Sequence, residues 1–221
     1  MRMQPDFAAL RDRMVERQIV RRGVRDARVL DAMREVPREH FVPEDLRLYA
    51  YDDGPLPIAA GQTISQPFVV AMMVEAAELS PDARVLEIGA GSGYAAAVMS
   101  RIARDVYAIE RHAELANLAR ERMETLGYAN VHIRTGDGTE GWPEAAPFDA
   151  IIASAVSPAV PDALKQQLAI GAVLVIPVGR APEQRLLKVR RRDADRFETE
   201  DLGAVAFVPL IGAHGWPEDS A

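Results

Sequence analysis

The chain contains no cysteine. That absence rules out a disulfide framework, a thiolate nucleophile and a Cys-ligated zinc, so the fold must rest on its apolar core. No run of eighteen uncharged apolar residues occurs, which argues against a transmembrane helix. The N-terminal "MRMQPDFAALRDRMVERQIVRRG" lacks the apolar stretch and small-residue cleavage site of a signal peptide, so a cytoplasmic location is expected. Internal repeats and low-complexity tracts are absent. Positive charge is in short supply too: 26 Lys and Arg against 33 Asp and Glu leave a net charge of −7. A face built to neutralise nucleic-acid phosphates needs clustered cations, so neither nucleic acid nor a membrane is an expected partner. The four histidines, His40, His112, His132 and His214, are scattered and offer no general base.

What remains is ample for one domain: 221 residues, 48% hydrophobic. Asp6 can cap a helix bearing Phe7, Leu10, Met14, Val15 and Ile19, with Gly23 placed to end it. Asp26 can cap a second over "ARVLDAMREV", stopped by Pro37. Prolines 37, 43, 55 and 57 then predict a long extended connection to Ser65. A helix is expected from Pro67 to Leu79. Its start poses a question, because Gln-Thr-Ile-Ser before Pro67 suits either a helix cap or a substrate-holding turn.

Five short apolar runs follow, "ARVLEI" at 83–88, "DVYAIE" at 105–110, "NVHIRT" at 130–135, "FDAIIAS" at 148–154 and "AVLVIPV" at 172–178. Such continuous runs suit strands buried on both faces. Helical segments "YAAAVMSRIA", "HAELANLARERMETLG" and "PDALKQQLAI" alternate with them, which predicts an α/β fold with a mostly parallel central sheet. Two antiparallel strands are expected near 185–191 and 203–210, with "RRRDADR" at the hairpin tip.

"VLEIGAGSGYAA" runs from a strand through Gly89, Gly91 and Gly93 into a helix. Its third glycine comes one residue too early for the dinucleotide fingerprint, and Tyr94 fills that place. Glu87 would repel a pyrophosphate but attract an ammonium, which favours the amino-acid end of S-adenosyl-L-methionine. Glu110, ending the next strand, is placed to accept ribose hydroxyls. Asp137 of "TGDG" can accept from an adenine amino group while Gly138 leaves room for the ring. Each feature alone reads equally as a surface charge, a cap or a turn; their order at successive strand ends is what points to a nucleoside. "ASAVSP" after the fourth strand is not the Asn- or Asp-Pro-Pro-aromatic turn of amide and adenine methyltransferases, and no carboxylate cluster suggests a metal-dependent enzyme. Without a base, an acceptor already ionised at pH 7 is the simplest, namely a carboxylate with a pKa of about 4.

The blocks "VPREHFVP", "AYDDGPLPIAAGQTISQPFVVAMMVEAAEL", "VLEIGAGSGYAAAVMS", "GDGTEGWPEAAPFDAIIASA" and "FVPLIG" closely resemble the protein-L-isoaspartate O-methyltransferase family, from about residue 10 to residue 212. The resemblance implies a Rossmann-like class I methyltransferase fold, helices on both faces of the sheet, an N-terminal helical extension over 1–65, a donor-binding core over 66–180 and C-terminal antiparallel strands over 181–221. It implies methyl transfer from S-adenosyl-L-methionine, with S-adenosyl-L-homocysteine as product and no metal, to the free α-carboxyl of isoaspartyl residues in damaged proteins. The ester then collapses to a succinimide. The active-site serine maps to Ser65, whose hydroxyl would orient the substrate carboxylate. Donor binding extends by resemblance to Ile64, Ala90, Ser92 and Arg111, and the peptide slot to Leu56, Pro57, Ile58, Gln62, Thr63, Val208, Pro209 and Leu210. A monomer is expected. The alternatives are an aspartate carboxyl methyltransferase specialised for a biosynthetic peptide, a nicotinamide-dependent oxidoreductase, and a non-catalytic binding module.

Overall fold

Asp6 accepts a hydrogen bond from the Ala9 amide at 3.0 Å and opens α1, Phe7–Met14. The helix runs on through a π turn, Val15–Ile19, and a 3-10 turn, Val20–Arg22, until Gly23 ends it at a φ of +108°. Asp26 caps α2, Ala27–Glu35, through the Arg28 amide. The computed structural model describes residues 5–220. Between 37 and 65 the expected extended connection is instead broken into 3-10 turns, Arg38–His40 and Glu44–Tyr49, and a small hairpin. Proline forbids a continuous α-helix there but tolerates tight single turns. In the hairpin, β1, Leu56–Pro57, pairs antiparallel with β2, Thr63–Ile64. Then comes α3, Pro67–Ala76.

The alternating array follows in chain order: β3, Arg84–Ile88; α4, Tyr94–Ser100; β4, Asp105–Glu110; α5, Ala113–Leu126; β5, Val131–Thr135; β6, Phe148–Ala153; α6, Asp162–Gln166; β7, Leu168–Arg180; β8, Glu183–Arg191; and β9, Phe197–Ala204. The sheet order is β5-β4-β3-β6-β7-β8-β9, parallel from β5 through β7 and antiparallel beyond. Side chains alternate between its faces. Val85, Ala150, Val173 and Val175 join one core with α2, α3 and α4, while Leu86, Ile151, Leu174 and Ile176 join a second with Leu164 of α6. Each such burial is worth about 1.5–3 kcal/mol, so both faces fix the register. Among the described residues, no helix is long and apolar enough to cross a membrane.

Two further expectations are corrected. The helix after Pro161 stops at Gln166, because Leu168 already pairs with Phe148 as β7 begins. The last strand is Phe197–Ala204 and not 203–210. Beyond Ala204 the chain leaves the sheet because the buried Gln184 side chain brackets Phe207: its Oε1 accepts from the Phe207 amide at 2.7 Å and its Nε2 donates to the Phe207 carbonyl at 3.1 Å. The charged "RRRDADR" stretch does contain the turn between β8 and β9.

β3 is followed by β4 on one side and, later, by β6 on the other. This reversal opens a crevice at the strands' carboxyl ends, where open α/β sheets bind ligands.

Candidate active site

The loop leaving β3 is tied to the neighbouring strand, since the amides of Gly89 and Ala90 both donate to the Ile109 carbonyl, at 2.8 and 3.1 Å. Gly89, Gly91 and Gly93 all take positive φ, and a Cβ on Gly93 would stand 2.7 Å from Met123 Cε of α5. Only glycine turns this tightly and packs this closely. Glu110, ending β4, holds the same loop: its Oε2 accepts from the Gly91 amide at 2.8 Å and its Oε1 from the His112 amide at 2.9 Å. Each oxygen retains a second acceptor position.

Glu87 is 1% exposed, and its Oε2 has no hydrogen-bond partner. Burial, with the Glu110 charge nearby, pushes its carboxyl well above the usual range, and the Ala96 amide and Ser154 hydroxyl only partly oppose this. A buried carboxylate oxygen left bare beside a cavity is a place for a cation to bind. The residues therefore fit a ligand with an ammonium at one end and vicinal hydroxyls further along.

Ser65 stands where two hollows meet. It lines the cavity that holds Glu87, Glu110 and the glycine loop, and also an adjoining groove walled by Phe68, Val69 and Met72 of α3 and by Leu202, Val205 and Phe207. Thr63, Ser154 and Val208 also line both. The helix-cap reading of the serine turn fails: Gln66 is the N-cap of α3, no side chain caps it, and Gln66 Nε2 donates instead to Asp53 Oδ1 at 2.6 Å. The Val208–Leu210 segment reaches the cavity because Val156 pins it, with Val156 N donating to Val208 O and Leu210 N to Val156 O, both at 2.8 Å.

Fifteen of the residues expected from the sequence border this cavity: Gln62, Thr63, Ile64, Ser65, Glu87, Gly89, Ala90, Gly91, Ser92, Glu110, Arg111, Gly138, Val208, Pro209 and Leu210. Gly93 lies behind it, against α5. Asp137 lines a neighbouring cleft with Arg111, Gly212 and Trp216. Its carboxylate accepts from the Thr139 amide and hydroxyl, at 2.8 and 2.7 Å, and from the Ala213 amide at 2.7 Å. Leu56, Pro57 and Ile58 do not border the cavity; the first two pair with β2, and Ile58 Cδ1 lies 3.5 Å from where a Gly91 Cβ would stand. Sequence reasoning missed Tyr94, His112, Ser154 and Ile211, which do border it. Only Ser154 carried a signal, as a polar residue at the carboxyl end of β6.

A family model described as "Protein-L-isoaspartate(D-aspartate) O-methyltransferase (PCMT)" matches residues 9–215. A Methylorubrum extorquens protein named protein-L-isoaspartate O-methyltransferase is 59% identical over 211 residues, covering 96% of this chain and 92% of its own. A solved protein-L-isoaspartate O-methyltransferase superposes with a TM-score of 0.83 at 30% identity, over 93% of this chain and 67% of that one. A Plasmodium falciparum chain provisionally described by the same name, solved in complex with S-adenosyl-L-homocysteine, gives a TM-score of 0.78 at 26% identity, over 91% of this chain and 98% of that one.

Proposed function

This chain belongs to the protein-L-isoaspartate(D-aspartate) O-methyltransferase family, and on that premise we propose how its own residues divide the work. The activity is methylation of isoaspartyl residues in damaged proteins with S-adenosyl-L-methionine as donor, a step of protein repair. When bound, the donor supplies an electrophilic methyl group on a sulfonium cation.

In this reading, Glu87 receives the donor's ammonium on its bare Oε2. Glu110 receives the ribose hydroxyls on the acceptor positions that Gly91 and His112 leave free. Gly138, which presents no side chain to the cavity, makes room for the adenine. Asp137, with three of its acceptor positions taken, keeps one for the adenine amino group while it holds the 212–216 segment over that end.

Ser65 carries the acceptor side, and the observation behind this is its position at the junction of the two hollows. Its hydroxyl donates to one oxygen of the substrate carboxylate and leaves the other aimed at the donor methyl. No base is required, because a carboxylate is already ionised at neutral pH. Orientation of this kind supplies roughly several kcal/mol of the barrier, and the apolar walls exclude water that would compete for the carboxylate. The groove is walled mainly by apolar side chains such as Phe68, Val69, Met72 and Phe207, with Arg22 the one charged residue in its lining, which suits a substrate held by its backbone in many sequence contexts. Methyl transfer to an isoaspartyl peptide, compared with its aspartyl twin, tests this reading. Transfer to the first alone supports it; equal or absent transfer to both contradicts it.

A further inference from the structure

Arg38 is fully buried and forms no ion pair among the described residues. Its Nε donates to the Ala50 carbonyl at 2.7 Å, and its Nη2 donates to the Ser65 carbonyl at 2.9 Å. The guanidinium carbon lies 4.7 Å from the ring centroid of Tyr94, and Nη1 has no hydrogen-bond partner. A buried cation satisfied by two backbone carbonyls and an aromatic face, without a carboxylate, is costly to keep. An apolar side chain of similar volume would avoid the cost of the charge but would leave the Ala50 and Ser65 carbonyls without this donor.

The partners explain what the charge does. The Ser65 carbonyl is not used by α3, whose first bond runs from the Val70 amide to the Gln66 carbonyl, and Pro67 has no amide to fix the turn from the other side. Arg38 is thus the group that holds the peptide plane of Ser65. On its other face is Tyr94, which borders the donor cavity and begins α4 immediately after the glycine loop. One rigid planar fork therefore bridges the acceptor serine and the donor loop, and a lysine, a point charge on a flexible stem, cannot reproduce both contacts.

We infer that Arg38 is a positioning residue for methyl transfer, fixing the Ser65 backbone so that its hydroxyl meets the substrate carboxylate in line with the donor. This rests on the role of Ser65 proposed above. Misplacement by about 1 Å at a reacting centre costs on the order of 100-fold in rate.

The test is a double-mutant cycle with Arg38→Met and Ser65→Ala, reading kcat and KM on an isoaspartyl peptide, S-adenosyl-L-homocysteine affinity by calorimetry, and melting temperature. Arg38→Met is expected to lower kcat roughly 10- to 100-fold, with product affinity and peptide KM near wild type. In the Ser65→Ala background the same change is expected to have little further effect. Arg38→Lys, which keeps the charge but not the fork, is expected to lower kcat about tenfold or more with product affinity near wild type, which separates positioning from a folding defect. Wild-type kcat in Arg38→Lys, or the same loss from Arg38→Met with and without the serine hydroxyl, overturns the inference. A parallel fall of melting temperature and product affinity in both Arg38 variants overturns it as well, assigning the residue to the fold. Wild-type kcat in Ser65→Ala alone instead overturns the serine reading on which it rests.

Discussion

Glu87 and Glu110 share one cavity, and Glu110, whose two oxygens hold the amides of Gly91 and His112, adds its charge to the burial that pushes the Glu87 carboxyl up. Glu110 builds the loop with one acceptor position of each oxygen, while Glu87 Oε2 has no partner.

Donor binding is therefore expected to take a proton off Glu87. Calorimetry of S-adenosyl-L-homocysteine in two buffers of different ionisation enthalpy, run as a pH series, should show proton release that is abolished in Glu87→Gln, whose product affinity should fall about 10- to 100-fold. The stability effect has the opposite sign. A carboxyl raised in the folded state binds its proton longer than in the unfolded chain, so free-enzyme stability declines as pH rises from the unfolded value of about 4.3 toward the folded one. Without donor, Glu87→Gln should melt at or above wild type at pH 7.

Asp137 titrates the other way. Burial alone would raise its carboxyl, but the Ala213 amide and the Thr139 hydroxyl and amide hold it below the usual range. Its contribution is present above the unfolded pKa of about 3.9 and is lost as pH falls through the lower folded value. Asp137→Ala should cost about 1–3 kcal/mol at pH 7. In thermal melts the gap to wild type should narrow toward pH 2.

The groove beside Ser65 should affect peptide binding without touching the donor. Phe68 lines it, with Arg22 over its ring at 3.7 Å. Phe68→Ala is expected to raise KM for an isoaspartyl peptide about tenfold, with product affinity unchanged by calorimetry.

Much of this was legible in the sequence because burial on both faces writes continuous apolar runs: "DVYAIE" became β4, Asp105–Glu110, residue for residue. β9 was misplaced for the complementary reason. As the outer strand it is largely exposed along "FETEDLGA" and reads as a charged loop. The apolar "VAFVPLIG" reads as a strand, yet it serves the groove and the cavity. In the site, the cavity-lining Glu87, Glu110 and Gly138 were legible from their order at the ends of successive strands. Arg38 was not, because an arginine between two prolines reads as surface charge until the fold shows it 0% exposed against Ser65. Leu56 and Pro57 lie outside the cavity because they pair with Ile64 and Thr63 as β1 and β2, a two-residue hairpin that the prolines around it conceal in the sequence.

The serine turn sits at the centre. Its hydroxyl caps no helix, so Ser65→Ala should leave the melting temperature and product affinity near wild type. Turnover of an isoaspartyl peptide should fall on the order of 100-fold. Comparable loss of product affinity would mean that the hydroxyl serves the donor site instead.

The most direct measurement is methyl transfer from S-adenosyl-L-methionine to a matched pair of peptides differing only in an isoaspartyl or aspartyl linkage. Methyl ester on the isoaspartyl peptide alone is the predicted result; equal labelling of both, or labelling of neither, would contradict it.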